Sequence, residues 1–140
     1  MSLLTSAATK AFVALGSNLG DSPQLLRDAM ARLQNFSDQP LLKSSLWQTT
    51  PVNCPPNSPL FVNAVVGFAP QKNETPELLL HKLRTLEMEF GRTPKKGLNE
   101  PRSLDLDLIA FGNELNLIKE KLPHGEFGKW LDDNIPMTYR

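Results

Sequence analysis

Residues 104–109 read Leu-Asp-Leu-Asp-Leu-Ile, and this alternation constrains the chain more than any other stretch, because a period of two matches an extended strand with two chemically different faces. Leu104, Leu106 and Leu108 share one face; Asp105, Asp107 and Ile109 share the other. Two residues along a strand is about 6.5–7 Å between Cα atoms, close enough for both carboxylates to converge on one or two small cations. Their repulsion is costly beside an apolar core unless a cation, an arginine or water compensates it. Arg102, just ahead of the strand, is a candidate partner. A solvated strand face is the plainer use of an isolated Asp-x-Asp, so the rest of the sequence has to decide between the two.

At 140 residues the chain suits a single domain, 1–140, large enough to bury the core of a two-layer fold. Lys plus Arg equals Asp plus Glu at 15 each, so no global basic field recommends nucleic acid as a partner, and any useful electrostatics must be local. The lone Cys54 has no internal disulfide partner, and Asn53, Pro55 and Pro56 around it read as loop. No apolar run reaches the length of a membrane span, and the opening MSLLTSAATK lacks a signal-peptide core, so the expected location is cytoplasmic with no membrane partner.

Residues 10 to 15 read as a short apolar strand that stops at Gly16. Ser22 before Pro23 is the expected N-cap of a first helix, whose buried stripe is Leu25, Leu26, Ala29, Met30 and Leu33. Residues 41 to 50 and 61 to 69 are two further strands, separated by a Pro/Asn-rich loop and expected to be neighbours. Thr75 caps a second helix, Pro76 and Glu77 open it, Leu79, Leu83, Leu86 and Phe90 form its stripe, and Gly91 ends it. His81 falls on its exposed side, and Trp47 belongs to core or rim. The order βαββαβ predicts an α+β, ferredoxin-like sandwich: an antiparallel sheet with helices on one face. The loop before the last strand carries Lys95 and Lys96, flanked by Arg92 and Arg102. Carboxylates bracketed by cations suit Mg²⁺ with phosphate, although a solvated basic turn would read the same way.

Four blocks now stand together: ALGSNLGD, LWQTTPV with FVNAVV, LEMEFGR, and PRSLDLDLIAFGN followed by LPH, covering residues 11 to about 124. In content and order they resemble the signature blocks of the 6-hydroxymethyl-7,8-dihydropterin pyrophosphokinase family. The Pro-Arg-x-Leu-Asp-Leu-Asp-Leu block is the specific one; Gly-Ser-Asn-Leu-Gly alone is a weak glycine loop.

The resemblance implies transfer of diphosphate from ATP to the hydroxymethyl group of a reduced pterin, with release of AMP, in folate biosynthesis. It implies that Asp105 and Asp107 bind two Mg²⁺ ions, that Arg92 and Arg102 hold phosphates and act in catalysis, and that Glu87, Arg92, Arg102 and His124 bind ATP. For the pterin it implies stacking on Phe61, an edge hydrogen bond from Asn63, and a pocket wall of Thr49, Pro51 and Val52. An amide carries both a donor and an acceptor, which suits a guanidine-like ring edge.

Two segments depart from the family pattern. The stretch 93 to 100 has Pro94, Leu98 and Asn99 where further arginines and a tryptophan are usual, and residues 125–140 replace a longer basic tail, with Phe127 or Trp130 as substitutes for a second aromatic wall. The expectation is therefore an active enzyme with weakened ATP affinity, with a pterin- or nucleotide-binding paralogue of low or no turnover as the alternative. A ferredoxin-like RNA-binding domain is the third reading, and the neutral charge opposes it.

Overall fold

The computed structural model describes residues 9–49, 57, 59–91 and 103–112, and the backbone of 116 and 117. In chain order the elements are β1 (Lys10–Ser17), α1 (Ser22–Leu33) with a short 3₁₀ turn at Gln34–Phe36, β2 (Leu42–Lys43), β3 (Trp47–Thr49), β4 (Phe61–Phe68), α2 (Pro76–Glu89), β5 (Asp105–Gly112) and β6 (Asn116–Leu117). The sheet order is β2-β4-β1-β5-β6, with β3 also paired to β4 and every pairing antiparallel. The central strands β1, β4 and β5, with β2 and β3 sharing one edge, give the ferredoxin-like arrangement that the element order predicts.

Burial follows the two-residue period. Ala11, Val13 and Leu15 of β1, Val62, Ala64, Val66 and Phe68 of β4, and Leu104, Leu106 and Leu108 at and within β5 form one cluster with Leu26, Ala29, Met30 and Leu33 of α1 and Leu79, Leu83 and Leu86 of α2. Each fully enclosed leucine contributes about 1.5–3 kcal/mol relative to exposure. A bulge at Ile109, between the pairs Val13↔Leu108 and Phe12↔Ala110, adds one residue to β5 and lets Phe111 pack on the same core as Leu108.

Four local details depart from expectation, the first being β6, a short strand after the expected last one, paired to β5 at Ala110 and Phe111. β1 runs through Gly16 to Ser17, because its ladders to β4 and β5 continue past the glycine. The cap of α1 is Asp21, whose carboxylate accepts from the Gln24 N–H; Ser22 is the first helical residue, and its hydroxyl instead accepts from the buried Ser17 hydroxyl at 2.8 Å. The expected strand at 41 to 50 is split: Lys43 pairs Val66 while Trp47 pairs Asn63, a slip of one residue. At the break the Ser44 hydroxyl accepts from Val65 N–H, and Ser44 N–H donates to Val65 C=O, so the edge stays hydrogen-bonded where the ladder is interrupted. The second helix matches its expected limits. Thr75 caps it through Leu78 N–H, and Gly91, at φ 93°, takes the left-handed conformation that closes it. Among the described residues no helix is long and apolar enough to cross a membrane.

Candidate functional site

The side chains of the alternate residues, on the sheet face away from the helices, form a row across four strands. Trp47 pairs Asn63, Asn63 pairs Gly16, and Gly16 pairs Asp105. One step along β1, Ala14 lies between Val65 and Asp107. Cross-strand partners share a face, so the amide of Asn63 and both carboxylates project to the same side, with the smallest side chains, Gly16 and Ala14, as the floor between them. Two strand spacings separate Asn63 from Asp105, about 9.5–10 Å between backbones.

Gly16 matters here for space. A Cβ at this position would stand 3.4 Å from Asn63 Oδ1 and 3.6 Å from Phe61 Cδ1, in the room that the amide and the ring border. The Asn63 amide is oriented by a bond from Nδ2 to Thr49 Oγ1 at 2.8 Å. That bond turns the acceptor Oδ1 toward Gly16. Phe61, Asn63 and Thr49 are all half-buried, so their polar and aromatic groups are held by packing but not sealed in. Asn18, at the end of β1, donates to Pro59 C=O and ties the approach to Phe61 to the same floor. The structure thus brings together Thr49, Phe61 and Asn63.

Asp105 and Asp107 are likewise half-buried. Behind them, α2 reaches β5 through side chains one helical turn apart. The carboxylate of Glu87, 1% exposed, accepts the Leu106 N–H on Oε2 at 2.7 Å and an Arg84 Nη1 bond on Oε1 at 2.7 Å. Arg84 Nη1 also donates to Leu106 C=O at 3.0 Å. The Ser103 hydroxyl donates to Phe90 C=O at 2.6 Å, next in the same register. Glu87, expected among the ATP-binding residues, therefore sits inside the fold with both oxygens accepting from protein groups. Its position on the apolar side of α2 beside Leu83 and Leu86 explains the enclosure.

Arg92, Arg102 and His124, and Pro51 and Val52 of the expected pocket wall, lie outside the described residues, as do Lys95, Lys96 and Cys54. His81 is exposed, as expected, and Trp47 is half-buried beside Asn63. On the sequence alone Gly16 reads as the end of a strand, and Arg84 has no assigned role. The signal for Gly16 was available, since a glycine inside a strand pattern marks a close approach. Arg84 carries no comparable local mark.

An α+β domain of ferredoxin-like topology, with an oriented amide, an aromatic ring and two carboxylates on the face opposite its helices, is the class that fold and site define. The model of the 7,8-dihydro-6-hydroxymethylpterin-pyrophosphokinase family matches residues 12–130, and the chain belongs to that family. Among curated proteins it is 35% identical over 117 residues to a 2-amino-4-hydroxy-6-hydroxymethyldihydropteridine pyrophosphokinase of Pseudomonas aeruginosa, covering 82% of this chain and 70% of the relative. A protein of the same description from Bacillus subtilis is 37% identical over 117 residues, covering 81% of this chain and 67% of the relative. A folate synthesis bifunctional protein of Arabidopsis thaliana is 32% identical over 126 residues, which are 88% of this chain but 25% of that longer protein.

Proposed function

We propose that this member of the family transfers the β,γ-diphosphate of ATP to the hydroxymethyl group of 6-hydroxymethyl-7,8-dihydropterin, releasing AMP, as an Mg²⁺-dependent step of folate biosynthesis. The observation that supports the reading is the row Asn63–Gly16–Asp105, in which an amide and a carboxylate stand at opposite ends of one floor. A flat ring lying on Gly16 and stacked against Phe61 offers its amino and ring N–H donors to Asn63 Oδ1, and its substituent then extends toward Asp105 and Asp107.

Two carboxylates on one face of a strand are oxygen donors of the kind Mg²⁺ shares with phosphate and water, so Asp105 and Asp107 fit that ion and would hold it. When bound there, Mg²⁺ neutralises phosphate charge and favours loss of the hydroxyl proton. The family resemblance assigns the phosphates to Arg92 and Arg102, a task that suits a guanidinium because it can bond two oxygens at once, and assigns a nucleotide contact to His124. The pterin hydroxyl oxygen forms the new bond to the β-phosphorus, the bond from that phosphorus to the α,β-bridging oxygen breaks, AMP departs with the bridging oxygen, and the hydroxyl proton passes to water.

Incubation with Mg²⁺, ATP and the hydroxymethyl dihydropterin, followed by ³¹P NMR, tests this. AMP and pterin diphosphate should appear in equal amounts. AMP without pterin diphosphate would be hydrolysis, and no turnover with intact pterin binding would favour the paralogue without transfer activity.

A further inference from the structure

We propose that Arg84 and Glu87 are positioning residues for the Asp105/Asp107 pair, holding the carboxylates at metal-binding separation through the main chain of Leu106; this rests on the acidic pair being the Mg²⁺–nucleotide site. Leu106 is the one residue between the two aspartates. Its N–H goes to Glu87 and its C=O to Arg84. In an antiparallel strand, successive residues direct these groups to opposite edges, so those of Asp105 and Asp107 turn to β1, opposite Gly16 and Ala14. The outer edge of β5 is paired to β6 at Ala110 and Phe111, and at Leu106 the Arg84–Glu87 pair fills the place of a neighbouring strand.

The choice of residue supports a positional role over a purely stabilising one. Glu87 is 1% exposed on a helix side that otherwise buries Leu79, Leu83 and Leu86. A leucine there would enclose apolar surface without desolvating a charge, and buried ion pairs are weak sources of stability. What the charged pair supplies is direction: the Glu87 carboxylate accepts from Leu106 N–H and the Arg84 guanidinium donates to Leu106 C=O, so both main-chain groups of the one residue between two mutually repelling anions are held. Without these bonds the strand could twist to let the carboxylates part. Ser103, bonded to Phe90 C=O, extends the same attachment to the start of the strand.

Arg84→Met is the decisive variant, because the Arg84 side chain is 45% exposed and its loss leaves the Glu87–Leu106 bond in place. Mn²⁺ affinity would be measured by EPR with a non-hydrolysable ATP analogue, pterin affinity by calorimetry, and folding by circular dichroism. Outer partners of metal ligands typically tune affinity by 10–100-fold, and we expect Mn²⁺ to bind ~10-fold more weakly, with pterin affinity within about twofold of the parent. Arg84→Lys, which keeps a single cationic donor group, should recover part of the loss, and Glu87→Gln should exceed Arg84→Met if it folds. A folded Arg84→Met protein with parental Mn²⁺ affinity overturns the proposal while leaving the functional reading intact. A parent protein that binds no Mn²⁺ with the nucleotide overturns both.

Discussion

Asn63 and Asp105 are both direct cross-strand partners of Gly16, one on β4 and one on β5, so a residue without a side chain separates the amide from the first carboxylate. Gly16→Ala tests that spacing. The added methyl meets Asn63 Oδ1 at 3.4 Å and the Phe61 ring at 3.6 Å, ordinary contacts that the fold tolerates. Thermal stability should stay within a few degrees of the parent, while calorimetric pterin affinity drops at least tenfold, because the methyl occupies the floor on which the ring lies. Unchanged pterin affinity would move the ring elsewhere.

Asp105→Asn and Asp107→Asn keep side-chain volume and remove one charge each. Both residues are half-buried on the face away from the core cluster, so each variant should fold. Diphosphate transfer should be lost in both. An active, folded Asp107→Asn protein would be fatal to the metal role.

Phe61→Ala should weaken pterin binding by about 1–3 kcal/mol, the loss expected when a stacked ring is removed, with little effect on nucleotide affinity. Equal weakening of both ligands, read by calorimetry, would show that the half-buried ring serves packing alone.

Thr49→Val preserves shape and deletes the oxygen that accepts from Asn63 Nδ2. A hydrogen bond of this kind contributes about 0.5–1.5 kcal/mol, and its loss lets the amide rotate. Pterin affinity should fall about threefold to tenfold with a small change in melting temperature. Phe61→Ala and Thr49→Val touch one surface, so their double variant should be non-additive.

Nucleotide binding should require Mg²⁺. ATP approaching Asp105 and Asp107 meets two like charges, and only a cation between them makes the encounter favourable. Titration of a non-hydrolysable ATP analogue with Mg²⁺ and then with EDTA should give binding in the first case and none in the second, and raising the salt should weaken it.

The amino-acid sequence by itself determined the three central strands and both helices and which face each presents. Those properties are local: the period of two in 104–109 sets Asp105 and Asp107 opposite the core leucines, and Thr75, Pro76 and Gly91 delimit α2 through their own backbone preferences. Only the tertiary structure decided what stands beside those carboxylates. Residues 47, 63, 16 and 105 become a row through strand register, which depends on which side chains distant segments bury together, with the slip between β2 and β3 setting Trp47 against Asn63. The same holds for Glu87. The resemblance assigns it to the ATP site, and the packing of α2 on β5 encloses it and gives its oxygens to Leu106 and Arg84, because a buried carboxylate must satisfy its acceptors with whatever donors the fold brings near.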